Sequence, residues 1–81
     1  MNVEELSVEA RRAFDHFDGS QEDLAGYIGV DRSAVSRAIR NAGLKHAAVQ
    51  ARIVSHVDGV PVQRRSTYDA PDVEHEWLIE P

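Results

Sequence analysis

The sequence predicts a small α+β domain, with a three-helix unit that contains a helix-turn-helix, then a β-hairpin, then a third C-terminal strand or extended arm. Three observations predict it. Apolar residues recur at helical spacing through residues 1–43, two runs rich in β-branched residues flank an Asp-Gly pair at 58–59, and strict apolar/polar alternation closes the chain.

The first helix follows from Leu6, Ala10, Ala13, Phe14 and Phe17, which form one apolar stripe while Glu9, Arg11, Arg12 and Asp15 face out; Gly19 ends it. Ser20 is the expected N-cap of a second, short helix, with Asp23 where a capping-box acid sits and Leu24, Ala25 and Ile28 as the buried face. Gly29 breaks that helix as a left-handed residue. Asp31 is the expected N-cap of a third helix reaching about Ala42, with Gly43 as its stop. "VQARIVSHV" and "VPVQRRSTY" read as strands, and Asp58-Gly59 between them suits a type I′ turn, which predicts a hairpin over 49–68. Leu44, Ala47, Ala48 and Ala51 also lie at helical spacing, so a further helical turn competes with the start of the first strand. After a loop from Tyr68 to Asp72, "VEHEWLIE" sets Val73, His75, Trp77 and Ile79 on one face and Glu74, Glu76, Leu78 and Glu80 on the other, over an acidic segment spanning 69–81.

Eighty-one residues make one domain, and a chain this short buries only about 60% of its unfolded surface, so dimerisation would add needed stability. There is no cysteine, which excludes disulfides and thiolate metal sites and suits a reducing cytoplasm. No apolar run approaches the ~20 residues that cross a bilayer, and "MNVEELSVEA" is acidic where a signal peptide is basic; a soluble, cytoplasmic protein is expected. His16, His46, His56 and His75 lack metal-site spacing. Glu4-Glu5 and Glu74/Glu76 have no accompanying nucleophile, so neither catalysis, nor a cofactor, nor a small-molecule ligand is expected.

Charge is unevenly distributed. Residues 1–25 carry seven acids against two arginines (net −5), residues 26–68 seven basic residues against two acids (net +5), and residues 69–81 five acids with no Lys or Arg. A basic centre points to a polyanion, and the acidic flanks suppress non-specific attraction to it. On the third helix, Val35, Ala38, Ile39 and Ala42 form an apolar stripe; Ser33, Ser36, Arg37 and Arg40 lie opposite, with Arg32 in the first turn. That outward face has no acid, and its guanidinium forks and hydroxyls suit phosphates and base edges.

"QEDLAGYIGVDRSAVSRAIRNAGLK" resembles the helix-turn-helix of the Cro-type phage repressor family, in its opening glutamine, the small Ala25, the Gly29-Val30 turn, and Ser33-Ala34-Val35 with Ala38-Ile39. The resemblance covers about residues 20–45, and the hairpin only by order of elements. It implies a sequence-specific transcriptional regulator, a repressor that binds a pseudo-palindromic operator on double-stranded DNA as a homodimer. Gln21 would contact a phosphate, Arg32, Ser33, Ser36 and Arg37 would read bases and nearby phosphates, and Arg40 and Lys45 would lie toward the backbone. Dimerisation through the last strand and an aromatic residue after it would use Tyr68 or Trp77. The chain departs from the family in its acidic tail, where a basic one is the rule.

Two other readings stay open. The same fold also suits a protein-interaction adaptor or antitoxin-like module whose acidic ends meet a basic partner, or a winged-helix regulator with Arg64 and Arg65 on DNA. Against the wing, the hairpin tip is apolar and acidic, and Glu74, Glu76 and Glu80 are placed to pair with Arg52, Arg64 or Arg65.

Overall fold

Asn2 starts the first helix: its side chain accepts the Glu5 N–H while the Glu5 carboxylate accepts the Asn2 N–H, a reciprocal capping box. The computed structural model describes residues 1–69 and 72–79. Within them run α1 (Val3–His16), α2 (Gln21–Ile28), α3 (Arg32–Arg40), α4 (Leu44–Asp58), β1 (Val62–Asp69) and β2 (Asp72–Ile79). The α+β class and the order of helical unit then hairpin are as the sequence predicts.

The predicted stripe of α1 is the core: Leu6, Ala10 and Ala13 are fully buried, and Phe14 and Phe17 pack against them from its end. α1 itself stops at His16, with Phe17 in extended conformation. α2 carries the predicted Ser20–Asp23 capping box and buries Leu24 and Ala25. α3 buries Val35 and Ala38, and ends at Arg40 rather than Ala42.

The hairpin expected over 49–68 is displaced along the chain. Residues 44–58 form a single helix, and Asp58 is its last residue; of the Asp58-Gly59 pair only Gly59 takes a left-handed conformation (φ 68°), as the cap of α4. The physical reason is burial. Ala47, Gln50, Ile53 and Val54 fall on one helical stripe, and α4 packs that stripe across α1, closing the core. A strand over the same residues would split these side chains between two faces and bury half as many, so packing overrides the β preference of Ile53, Val54 and Val57.

The chain's one described sheet is instead built from β1 and the segment expected as a third strand or arm. β1 and β2 are antiparallel, with Val62 opposite Ile79, Arg64 opposite Trp77, Arg65 opposite Glu76 and Ser66 opposite His75. Of the face of β2 expected to turn inward, Trp77 is in the core, 2% exposed, and His75 is half-buried, whereas Ile79 at the strand's end is exposed and the Val73 side chain lies outside the described portion. Met1 lies along the outer edge of β2, where its nitrogen donates to the Trp77 carbonyl (2.7 Å) and its carbonyl accepts the Trp77 N–H (2.9 Å).

Of the two residues expected at a dimer contact, Trp77 packs in the core of its own chain. The Tyr68 side chain lies outside the described portion, as does Glu80. Among the described residues no helix is long and apolar enough to cross a membrane.

Candidate nucleic-acid interface

The turn between α2 and α3 is made by one carbonyl and one glycine. Gly29 is left-handed (φ 76°, ψ 37°), and the Ala25 carbonyl accepts both the Gly29 N–H (2.9 Å) and the Val30 N–H (3.0 Å). Ala25 is buried at the point where the two helices cross, and half-buried Val30 pins the turn to the core. Asp31 takes the N-cap position of α3 with extended backbone, but its side chain makes no capping bond; its carbonyl accepts the Ala34 and Val35 N–H groups. At the start of α2, the Asp23 carboxylate accepts the Ser20 N–H (2.9 Å) and hydroxyl (3.0 Å). These bonds, the backbone one foremost, hold its pKa below the ordinary aspartate value.

The far end of α3 is held by three side chains. Gln50, fully buried on α4, donates through Nε2 to the carbonyls of Ala38 (2.9 Å) and Asn41 (2.7 Å). Arg11 of α1 donates to the Ile39 carbonyl (3.0 Å), and Asn41 donates to that of Arg37 (3.0 Å). Carbonyls that a helix end leaves unpaired are thus satisfied by neighbouring elements, which fixes the position of α3 against α1 and α4. Sequence reasoning missed Gln50. Its signal was a single polar residue inside the apolar stripe of a helix, visible only once residues 44–58 are read as helical.

The arginines sort into two groups. Arg11 is committed to α3, Arg12 bridges Glu9 (2.8 Å) and Asp58 (2.6 Å), and Arg52 donates to the Ile28 carbonyl (3.3 Å). Its two carboxylates, Asp58 foremost, raise the Arg12 pKa further above its already high ordinary value. Arg64 sits over the Trp77 ring, 5.8 Å from its centroid, and donates to His75 Nδ1 (2.9 Å), while Arg65 pairs with Glu76. The cross-strand pairing expected for Arg65 and Glu76 is present, and Arg64 and Arg65 are both engaged within the hairpin.

The remaining three arginines are all on α3. Arg32 and Arg37 make no side-chain hydrogen bond or ion pair among the described residues, and Arg40 only bonds back to the Ser36 carbonyl (3.1 Å) within its own helix. Arg32, Ser33, Arg37 and Arg40 are exposed and Ser36 is half-buried, as the helical stripe predicts. Half-buried Gln21 shares an open cleft with Ser20, Glu22 and Arg32 at one end of this face. At the other side, Arg37 shares a cleft with exposed Lys45 and with His46 on α4. All seven expected contact residues therefore lie on or beside α3, joined by His46, which the sequence reading set aside with the other histidines.

Electrostatically, the α3 arginines have no ion-pair partner among the described residues, although Glu22 lines the cleft beside Arg32, whereas the arginines elsewhere in the fold are paired or bonded. No group of three or more His, Asp or Glu able to hold a metal occurs among the described residues. No protein-family model, no curated protein and no solved structure matches this chain.

Proposed function

We propose that the protein is a sequence-specific DNA-binding regulator of Cro-like type that inserts α3 into the major groove. The observation that carries this reading is the segregation of the arginines: those elsewhere bond to the fold, and the three on α3 are left facing solvent with two serines and no acid. In this reading Arg32, Ser33, Ser36 and Arg37 read base edges, Arg37 most directly, because a guanidinium fork matches guanine O6 and N7. Gln21, Arg40 and Lys45 contact phosphates on either side and set the register. The four hydrogen bonds that the Gln50, Arg11 and Asn41 side chains make at the end of α3 supply the rigidity such a contact needs.

A nine-residue helix reaches only a few base pairs, so a second copy extends the readout: two chains bind a pseudo-palindrome with half-sites about 34–36 Å apart. Selection of bound sequences from a random duplex pool tests both statements. An enriched palindrome with half-site centres about ten base pairs apart is the expected result. No enriched sequence, together with no salt-dependent retention of the pool, overturns the DNA reading and favours a protein partner for the acidic segments.

A further inference from the structure

The four histidines differ in what satisfies their rings. His16 Nδ1 bonds to the Arg12 carbonyl (2.8 Å), His75 is held by Arg64 and Ser66, and His56 stacks on Tyr27 with ring centroids 5.2 Å apart. His46 has no side-chain partner among the described residues. It is half-buried and lines an open cleft of ≈ 350 Å³ between α3 and α4, walled by Ala34 and Arg37 on one side and by Lys45, His46 and Val49 on the other. The charged groups facing His46 there are Arg37 from α3 and Lys45 from α4; no carboxylate lines the cleft, and neither cation has an ion-pair partner among the described residues.

We propose that this cleft is a phosphate-oxyanion site in which His46 binds as the imidazolium, so that occupancy takes up a proton. A guanidinium, an ammonium and an imidazole from two helices line the cleft with no carboxylate among them, a set of donors and positive charge that suits a phosphate oxyanion. Histidine changes charge within the physiological pH range, and an anion placed between it and two fixed cations favours its charged form. The proposal rests on the DNA reading only for the source of the phosphate and the part played by Arg37: with DNA, a backbone phosphodiester held by His46 and Lys45 while Arg37 engages a base edge beside it; otherwise, a free phosphate held by all three.

The test is an NMR titration of the histidine ring protons in the full chain, with His46 identified by the resonance missing from His46→Gln. It is run at matched ionic strength in chloride, in inorganic phosphate, in acetate, and with a mixed-sequence duplex. The expected result is a titration midpoint for His46 that moves up in phosphate or with duplex and not in acetate, while those of His16 and His56 stay in place. Duplex affinity of the wild type then rises on acidification by at most about tenfold per pH unit, and His46→Gln flattens that rise. A midpoint that neither phosphate nor duplex moves overturns the proposal, and so does an equal response to acetate, which would mark a carboxylate site. If phosphate moves the midpoint and no duplex binds, the site stands with a free phosphate as its ligand and the DNA reading falls. If the duplex binds without moving the midpoint, and phosphate does not move it either, the DNA reading stands and this site falls.

Discussion

Gln50→Met removes the two hydrogen bonds that hold the end of α3 while keeping a side chain of similar length in a fully buried position. The buried Ala38 carbonyl then loses its donor at about 1–3 kcal/mol, and the carbonyl of exposed Asn41, which water can reach, loses less. Part of this is offset, because Gln50 Oε1 is itself buried without a partner and disappears in the variant. The expected net loss is about 2 kcal/mol, a large fraction of the roughly 4–12 kcal/mol that stabilises a chain of this length. Thermal unfolding followed by circular dichroism should register it as a fall in Tm of about 8–16 °C. Gln50→Ala should cost about 1–2 kcal/mol more, for the cavity it leaves. Gln50→Glu adds a signed check. As a neutral acid its O–H still donates to one carbonyl; ionised, it faces two carbonyls with acceptors only, so burial raises its pKa in the folded state. Stability of that variant is therefore highest below the unfolded carboxyl pKa and is lost as pH rises through the folded one. A Gln50→Met protein within about 0.5 kcal/mol of wild type would refute the claim that these bonds position α3.

At the start of α2, Asp23→Ala should destabilise at neutral pH, measured by urea unfolding. Because the folded pKa of Asp23 is depressed, its contribution is present above the unfolded value and lost as pH falls through the folded one, so the gap to wild type should close in acid. The two glycines of the helix-turn-helix should respond with opposite signs in the same assay. Gly29→Ala meets no neighbour but forces a left-handed alanine, costing about 1–2 kcal/mol, whereas Gly26→Ala, mid-helix with open space around it, should stabilise by about 0.5–1 kcal/mol. On the proposed DNA, fluorescence anisotropy should show that Arg37→Ala loses about 1–3 kcal/mol and relaxes preference at one base pair. Lys45→Ala should weaken all duplexes alike and lower the salt slope by about one; unchanged affinity in both variants would remove α3 from the interface.

Local spacing and chemistry determined much of this protein. The stripes Leu6–Ala10–Ala13 and Val35–Ala38, the Ser20–Asp23 capping box, the Gly29 turn and the outward face of α3 are all short-range features, written within one or two helical turns. The strand pattern of 73–79 is equally local: the segment is a strand, with Trp77 buried as its position in the alternation predicts, while Ile79 at its end is exposed. What sequence could not decide was which surface each ambiguous segment would cover. Residues 44–58 satisfy both periods, and only the exposed flank of α1, waiting for a helix, selects the helical one. The same holds for the basic residues. Their identities and spacing are local, but whether an arginine is neutralised depends on a carbonyl or carboxylate remote in the chain: Ile39 for Arg11, Asp58 for Arg12, Ile28 for Arg52. Tertiary packing took Trp77 into the core, paired Gln50 with the end of α3, and brought His46 beside Arg37 and Lys45, because each of those contacts joins elements whose relative placement no helical or strand period encodes.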